Sequence, residues 1–267
     1  MKPHFSMRGA SARIALTMLA ITQRDGIAKR KFDDGEHVHV PEEELDREYG
    51  DGEWLKKTSE SGLKAVTVSL AYKGDLNKLR WIHMHDCAVL STYACWNAAE
   101  GGHLHVLEWL HSMNCPWTAK TCEKAAEGGH LEVLKFARAN GCKWNRDVLR
   151  AAIRKNHFDV VQWLCENGCK RNEWTMYEAA RFGDLDIVKY LREIGCELGG
   201  PWTCRQAAHN GRLEILKWLR DHGCPWDSAT PTTANYHEHW DILKYAIDNG
   251  CPGSEEYADK LPPEYRA

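Results

Sequence analysis

The stretch AAEGGHLEVLKFARANGC spans residues 125–142, and the chain writes it, with changes, three more times: AAEGGHLHVLEWLHSMNC at 98–115, AARFGDLDIVKYLREIGC at 179–196 and AAHNGRLEILKWLRDHGC at 207–224. Working outward, the closing cysteine recurs at Cys87, Cys115, Cys142, Cys169, Cys196, Cys224 and Cys251, with spacings of 28, 27, 27, 27, 28 and 27 residues. An apolar anchor holds the same register at Leu76, Leu104, Leu131, Phe158, Leu185, Leu213 and Trp240, and an aromatic follows each by five residues, from Trp81 to Tyr245. A fixed period of this size is the mark of a repeat architecture.

Each unit reads as a helical hairpin. Leu131, Val133, Leu134, Phe136 and Ala137 fall on one stripe of a helix. Ahead of the anchored helices stand Gly74, Gly102, Gly129, Asn156, Gly183, Gly211 and Glu238; before the cysteines stand Asp86, Asn114, Gly141, Gly168, Gly195, Gly223 and Gly250. Most of these types tolerate the left-handed backbone just past a helix end, so two helix stops are expected per unit. Upstream, a T-x-x-x-A-A pattern (Thr121 with Ala125 and Ala126, Thr175 with Ala179 and Ala180, Thr203 with Ala207 and Ala208) predicts a shorter first helix whose paired alanines allow close packing. A single hairpin leaves an apolar face bare, so neighbours must stack into a solenoid.

The unit TCEKAAEGGHLEVLKFARANGC (residues 121–142) resembles an ankyrin repeat, with cysteine at the alanine position after the last glycine. The period of 27–28 residues is shorter than the usual 33, which makes this a short variant lacking the finger between units. The resemblance implies an all-α ankyrin-like solenoid, a right-handed curved stack of seven repeats over residues 58–250, with 1–57 as an N-terminal arm and 251–267 as a half-repeat cap carrying an eighth first helix. It also implies a non-catalytic scaffold that binds another protein on its concave face, through variable residues near the ends of the first helices. By register these are Tyr72, Lys73, Glu100, Glu127, Arg154, Lys155, Arg181, Phe182, His209 and Tyr236, joined by Arg150 and Arg205 one turn earlier. Arg150, Arg154, Lys155, Arg181 and Arg205 form a basic stripe suited to an acidic segment, since guanidinium forks pair with carboxylates.

Other chemistry is weighed against this. Eleven cysteines raise an alternative, a metal-binding or redox-sensing repeat protein. No C-x-x-C pair is present, however, and equivalent positions in stacked repeats lie about 8–10 Å apart, too far for a disulfide ladder. The cysteines read better as small buried hydrophobes in a reducing, intracellular setting. Trp117, Trp144, Trp174, Trp202 and Trp226 are expected in connecting loops, as binding hot spots or as a cover for the edge left by the missing fingers. His103, His130, His157 and His239 are expected to bond locally at the starts of second helices. The motifs of serine hydrolases, phosphate-binding loops and zinc proteases are absent, so no enzyme, cofactor or metal is expected. A net charge of −3 disfavours nucleic acid, and no run of eighteen apolar residues marks a membrane span. A monomer is expected. In the arm, residues 1–24 are basic without an acid, a composition shared by organelle transit peptides and flexible arms, and residues 33–53 are acidic enough to serve as an internal ligand for the basic stripe.

Overall fold

The computed structural model describes residues 57–172 and 174–266; the arm, with its targeting and internal-ligand readings, lies outside the described residues. The described elements are all helical. They fall into two compact units, divided between Trp117 and Thr118.

The first unit holds two hairpins, α1 (Glu60–Lys73) with α2 (Leu76–Met84), and α3 (Thr92–Glu100) with α4 (Leu104–Ser112). The second holds five: α5 (Ala119–Gly128) with α6 (Leu131–Ala139), α7 (Arg146–Arg154) with α8 (Phe158–Glu166), α9 (Trp174–Phe182) with α10 (Leu185–Glu193), α11 (Pro201–His209) with α12 (Leu213–Asp221), and α13 (Ala229–Tyr236) with α14 (Trp240–Asp248). Odd-numbered helices are the first helices and even-numbered ones the second. Within the second unit each first helix packs on the next, and the second helices do the same, from α8 onward.

The repeat consensus explains the hairpin. Thr121 sits in the first turn of α5; its Oγ1 accepts from the N–H of Thr118, whose own hydroxyl accepts from Lys120 N–H. Such reciprocal bonding satisfies donors that a helix start otherwise leaves open. The alanine pair is fully buried in every copy that has it, for example Ala125 and Ala126. Past the alanines, Gly129 at φ 76° lets the His130 N–H reach Ala125 O at 2.9 Å while its own N–H reaches Ala126 O. The second helix ends the same way: Gly141 is left-handed, and the Cys142 N–H bonds Ala137 O at 2.9 Å. This double bonding caps helix carbonyls that no further turn would reach.

Thirteen of the fourteen predicted stops have positive φ, including Asp86, Asn114, Asn156 and Glu238, where no glycine is present. Gly183 is the exception. The next residue, Asp184, is extended and caps α10 through Ile187 N–H, and a Cβ on Gly183 would meet Ala179 O at 2.8 Å. Here glycine provides room rather than handedness.

Five of the seven periodic cysteines close their repeat on itself, while Cys87 points its Sγ at the nearby His85 carbonyl, 3.1 Å away. Cys115, Cys142, Cys169, Cys224 and Cys251 point their Sγ at the carbonyl of the residue 24 positions earlier, beside the start of the same repeat's first helix: Ser91 at 3.3 Å, Thr118 at 3.2 Å, Asn145 at 4.0 Å, Gly200 at 3.8 Å and Asp227 at 3.5 Å. They are buried, as a small apolar side chain with a weak S–H donor should be. Cys196 departs from this, being half-buried.

The C-terminal segment differs from the expected eighth first helix. Residues Glu255–Lys260 and Pro263–Tyr265 are 3₁₀ turns. Pro262 and Pro263 bar an α-helix from continuing through Leu261, and the segment lacks the T-x-x-x-A-A pattern. Leu261 is nevertheless buried, and the turns lie against α14.

Candidate functional site

Three features recur along the chain outside the apolar core, and their geometry separates structure from surface. The first is the set of histidines before second helices. None bonds within its own helix start. Instead Nε2 of His103 donates to Tyr72 O at 2.8 Å, that of His157 to Glu127 O at 3.0 Å, and that of His239 to His209 O at 3.2 Å. Each acceptor lies in the last turn of the preceding repeat's first helix, where carbonyls lack helical partners. The rings rest on the left-handed glycines of that preceding repeat: a Cβ on Gly129 would come within 2.5 Å of Cε1 of His157, and one on Gly211 within 2.9 Å of Cε1 of His239. For His103, His157 and His239 the expectation of local bonding is therefore corrected; these three histidines clasp successive repeats. Where the earlier repeat has Asn156, whose Cβ occupies that space, the following repeat has Asp184 in place of histidine.

The second feature is the tryptophans. Trp117 stacks on His111 at 4.2 Å, Trp144 meets Trp163 edge-on at 5.6 Å, and Trp226 meets Tyr245 at 5.9 Å; Arg138 and Arg220 cover the last two at 4.3 Å. These three cover the second helices. Trp174 and Trp202 are not loop residues but stand in the first turns of α9 and α11, 53% and 59% exposed. The T-x-x-x-A-A pattern contained the correction, because each of the two directly precedes the threonine that opens its helix.

The third feature is the outward face of the first helices. In the first unit, Tyr72 is 51% exposed, Lys73 is exposed and Glu100 half-buried; Tyr93 lies exposed against Trp96 at 4.7 Å. In the second unit the sequence-predicted residues are drawn into small groups. Arg154 and Arg181 lie over the Phe182 ring at 4.8 and 4.7 Å, with Lys155 exposed beside them. Arg150 pairs with Asp147 at 3.1 Å, and Arg205 with Asp227 at 3.2 Å while stacking over Trp202 at 4.1 Å. His209 packs on His237 at 4.1 Å, and Tyr236 beside them is 79% exposed. Glu127 pairs with Lys124 at 2.8 Å, and that hydrogen bond, with the charges of Lys155 and Lys120, holds its carboxyl below the usual range against the opposing effect of burial. The arginine stripe is thus half neutralised and interleaved with aromatic rings. Between α7 and α9 a cleft of about 230 Å³ opens beside Trp174, Arg146, Arg150 and Glu178. Among the described residues no group of three or more histidines, cysteines or carboxylates could hold a metal ion, and no helix is long and apolar enough to cross a membrane.

Hairpins of antiparallel helices joined through left-handed glycines and stacked on one another define a helical-repeat protein. A family model described as ankyrin repeats matches residues 122–201 of the chain in three copies. Among solved structures, the human ASB11 ankyrin repeat domain is similar at 20% identity with a TM-score of 0.51, covering 60% of this chain and 84% of that one, which establishes likeness of fold. No curated protein matches the chain.

Proposed function

We infer that the protein is a non-catalytic interaction scaffold that binds another protein across the outward face of its first helices, the concave side of an ankyrin-like stack. Ankyrin repeats are in general protein–protein interaction modules. The observation carrying the reading is the placement of the most exposed rings of the second unit: Trp174, Trp202 and Tyr236, 53%, 59% and 79% exposed, are all first-helix residues, against Phe158 at 37% on a second helix. Burying rings of this size supplies most of the energy of an interface, and arginine beside them is the usual companion. Arg154, Arg181 and the part-neutralised Arg150 and Arg205 favour a partner segment with carboxylates over one with cations. Free buried thiols that bond to backbone carbonyls fit a reducing compartment.

The test compares the intact chain with a variant in which Arg150, Arg154, Arg181 and Arg205 are all changed to Glu and which retains its helical circular dichroism. A partner bound by the first and released by the second is the expected result. Equal retention by both would place recognition elsewhere.

A further inference from the structure

The rings that face outward in the second unit are arranged with a period. Trp174 and Trp202 hold the same place in successive first helices, and α9 packs directly against α11. Packed helices lie about 8–10 Å apart, and that sets the spacing expected between side chains at equivalent places on them. One turn further along, Tyr177 stands edge-on to Trp174 at 5.4 Å, and Arg205 covers Trp202 at 4.1 Å, so each indole is braced from one side and open on the other. A polyproline II helix repeats every three residues and rises about 3.1 Å per residue, so its side chains at i and i+3 are about 9 Å apart. The two periods match.

The polar groups point the same way. The cleft between α7 and α9 is lined by Arg146, Arg150 and Lys170 against Asp147 and Glu178, so this part of the face carries a cationic excess. A proline-rich segment offers carbonyl acceptors with few N–H groups to satisfy, and it enters the complex already extended, so little ordering entropy is lost. The cleft beside Trp174, about 230 Å³, is large enough for one proline ring; with Arg150 paired to Asp147, Arg146 and Lys170 on its wall outweigh Glu178 and favour a neighbouring carboxylate.

We propose that the face formed by α7, α9 and α11 binds an acidic, proline-rich segment of a partner protein in the polyproline II conformation, with prolines three residues apart seated on Trp174 and Trp202. The proposal rests on the first-helix face being the binding surface and specifies the occupant.

The test is a calorimetric titration of the full chain with two synthetic peptides. One carries two acidic residues followed by three prolines at every third position; in the other the same prolines are alanine. The first is expected to bind at least about tenfold more tightly, and Trp174→Ala or Trp202→Ala should each remove about tenfold. Both residues are largely exposed, so these variants should keep their denaturation midpoints, which separates lost binding from lost folding. Equal affinity for the two peptides, no binding of either, or affinity unchanged in both tryptophan variants overturns the proposal. If the alanine peptide binds as well as the proline one and both are lost in the Arg-to-Glu variant, the face remains the binding surface and only the proline-rich occupant is refuted.

Discussion

Replacing Gly129 with alanine should destabilise the second unit by about 2–3 kcal/mol, and the structure divides that cost. A left-handed alanine costs about 1–2 kcal/mol, and Gly129 sits at φ 76°. The new Cβ would also lie within 2.5 Å of Cε1 of His157, so the ring must leave. Its 3.0 Å bond to Glu127 O is then lost, at about 1 kcal/mol. Gly141, in the same repeat, is the control: its φ is 83°, but a Cβ there meets nothing within 4 Å. Gly141→Ala should therefore cost only the conformational part, about 1–2 kcal/mol. In a His157→Ala background the cost of Gly129→Ala should fall to the same value. Urea denaturation at unchanged m measures all four variants, and a coupling of about 1 kcal/mol exceeds the scatter of such cycles, about 0.3–0.5 kcal/mol. Equal costs for Gly129→Ala and Gly141→Ala, or strict additivity with His157→Ala, would refute the clasp.

Other outcomes follow from the same geometry. Leu134 is fully buried, so Leu134→Ala should cost about 2–5 kcal/mol in urea denaturation. Burial pushes the Cys165 thiol up to about 12 from 9.0. A raised folded pKa means the stabilising contribution is intact below pH 9.0 and is lost as pH climbs towards 12; thermal unfolding followed from pH 8 to 11 should show that decline, and Cys165→Ala should make it shallower. Alkylation under native conditions should label the half-buried Cys165 and Cys196 before the fully buried Cys95, Cys122 and Cys204, as peptide mass mapping would show. Lys124→Gln should move the Glu127 carboxyl back up towards its ordinary value, readable by NMR titration.

Much of the hairpin was legible because it is written in short-range chemistry. Glycine, asparagine or aspartate before each cysteine, and threonine four residues before paired alanine, act within a few bonds of where they stand. What the sequence concealed acts across the repeat. His157 reaches the carbonyl of Glu127, thirty residues earlier, and nothing in either residue's neighbourhood shows it. The arginine stripe was found by register, but its pairing was not: Arg205 meets Asp227 of the next repeat, a partner fixed only once the repeats stack. Trp174 and Trp202 read as loop residues beside Trp144 and Trp226, which follow Cys142 and Cys224 by two residues. Two residue sets of one type, at different offsets from the threonine, were read as one.

The clasp also limits how such a protein can be rearranged. A repeat carries a socket, the left-handed glycine, for the neighbour that follows, and a plug, the histidine, for the one that precedes it. Asn156 puts a side chain where the glycine would stand, and the next repeat brings no plug: its Asp184 bonds its own Ile187 N–H. Repeats that look interchangeable by consensus are therefore keyed to their neighbours. Moving the repeat that begins with His239 to follow Asn156 would set an imidazole against an occupied socket, so duplication or shuffling of these modules is tolerated only where both halves of a junction travel together.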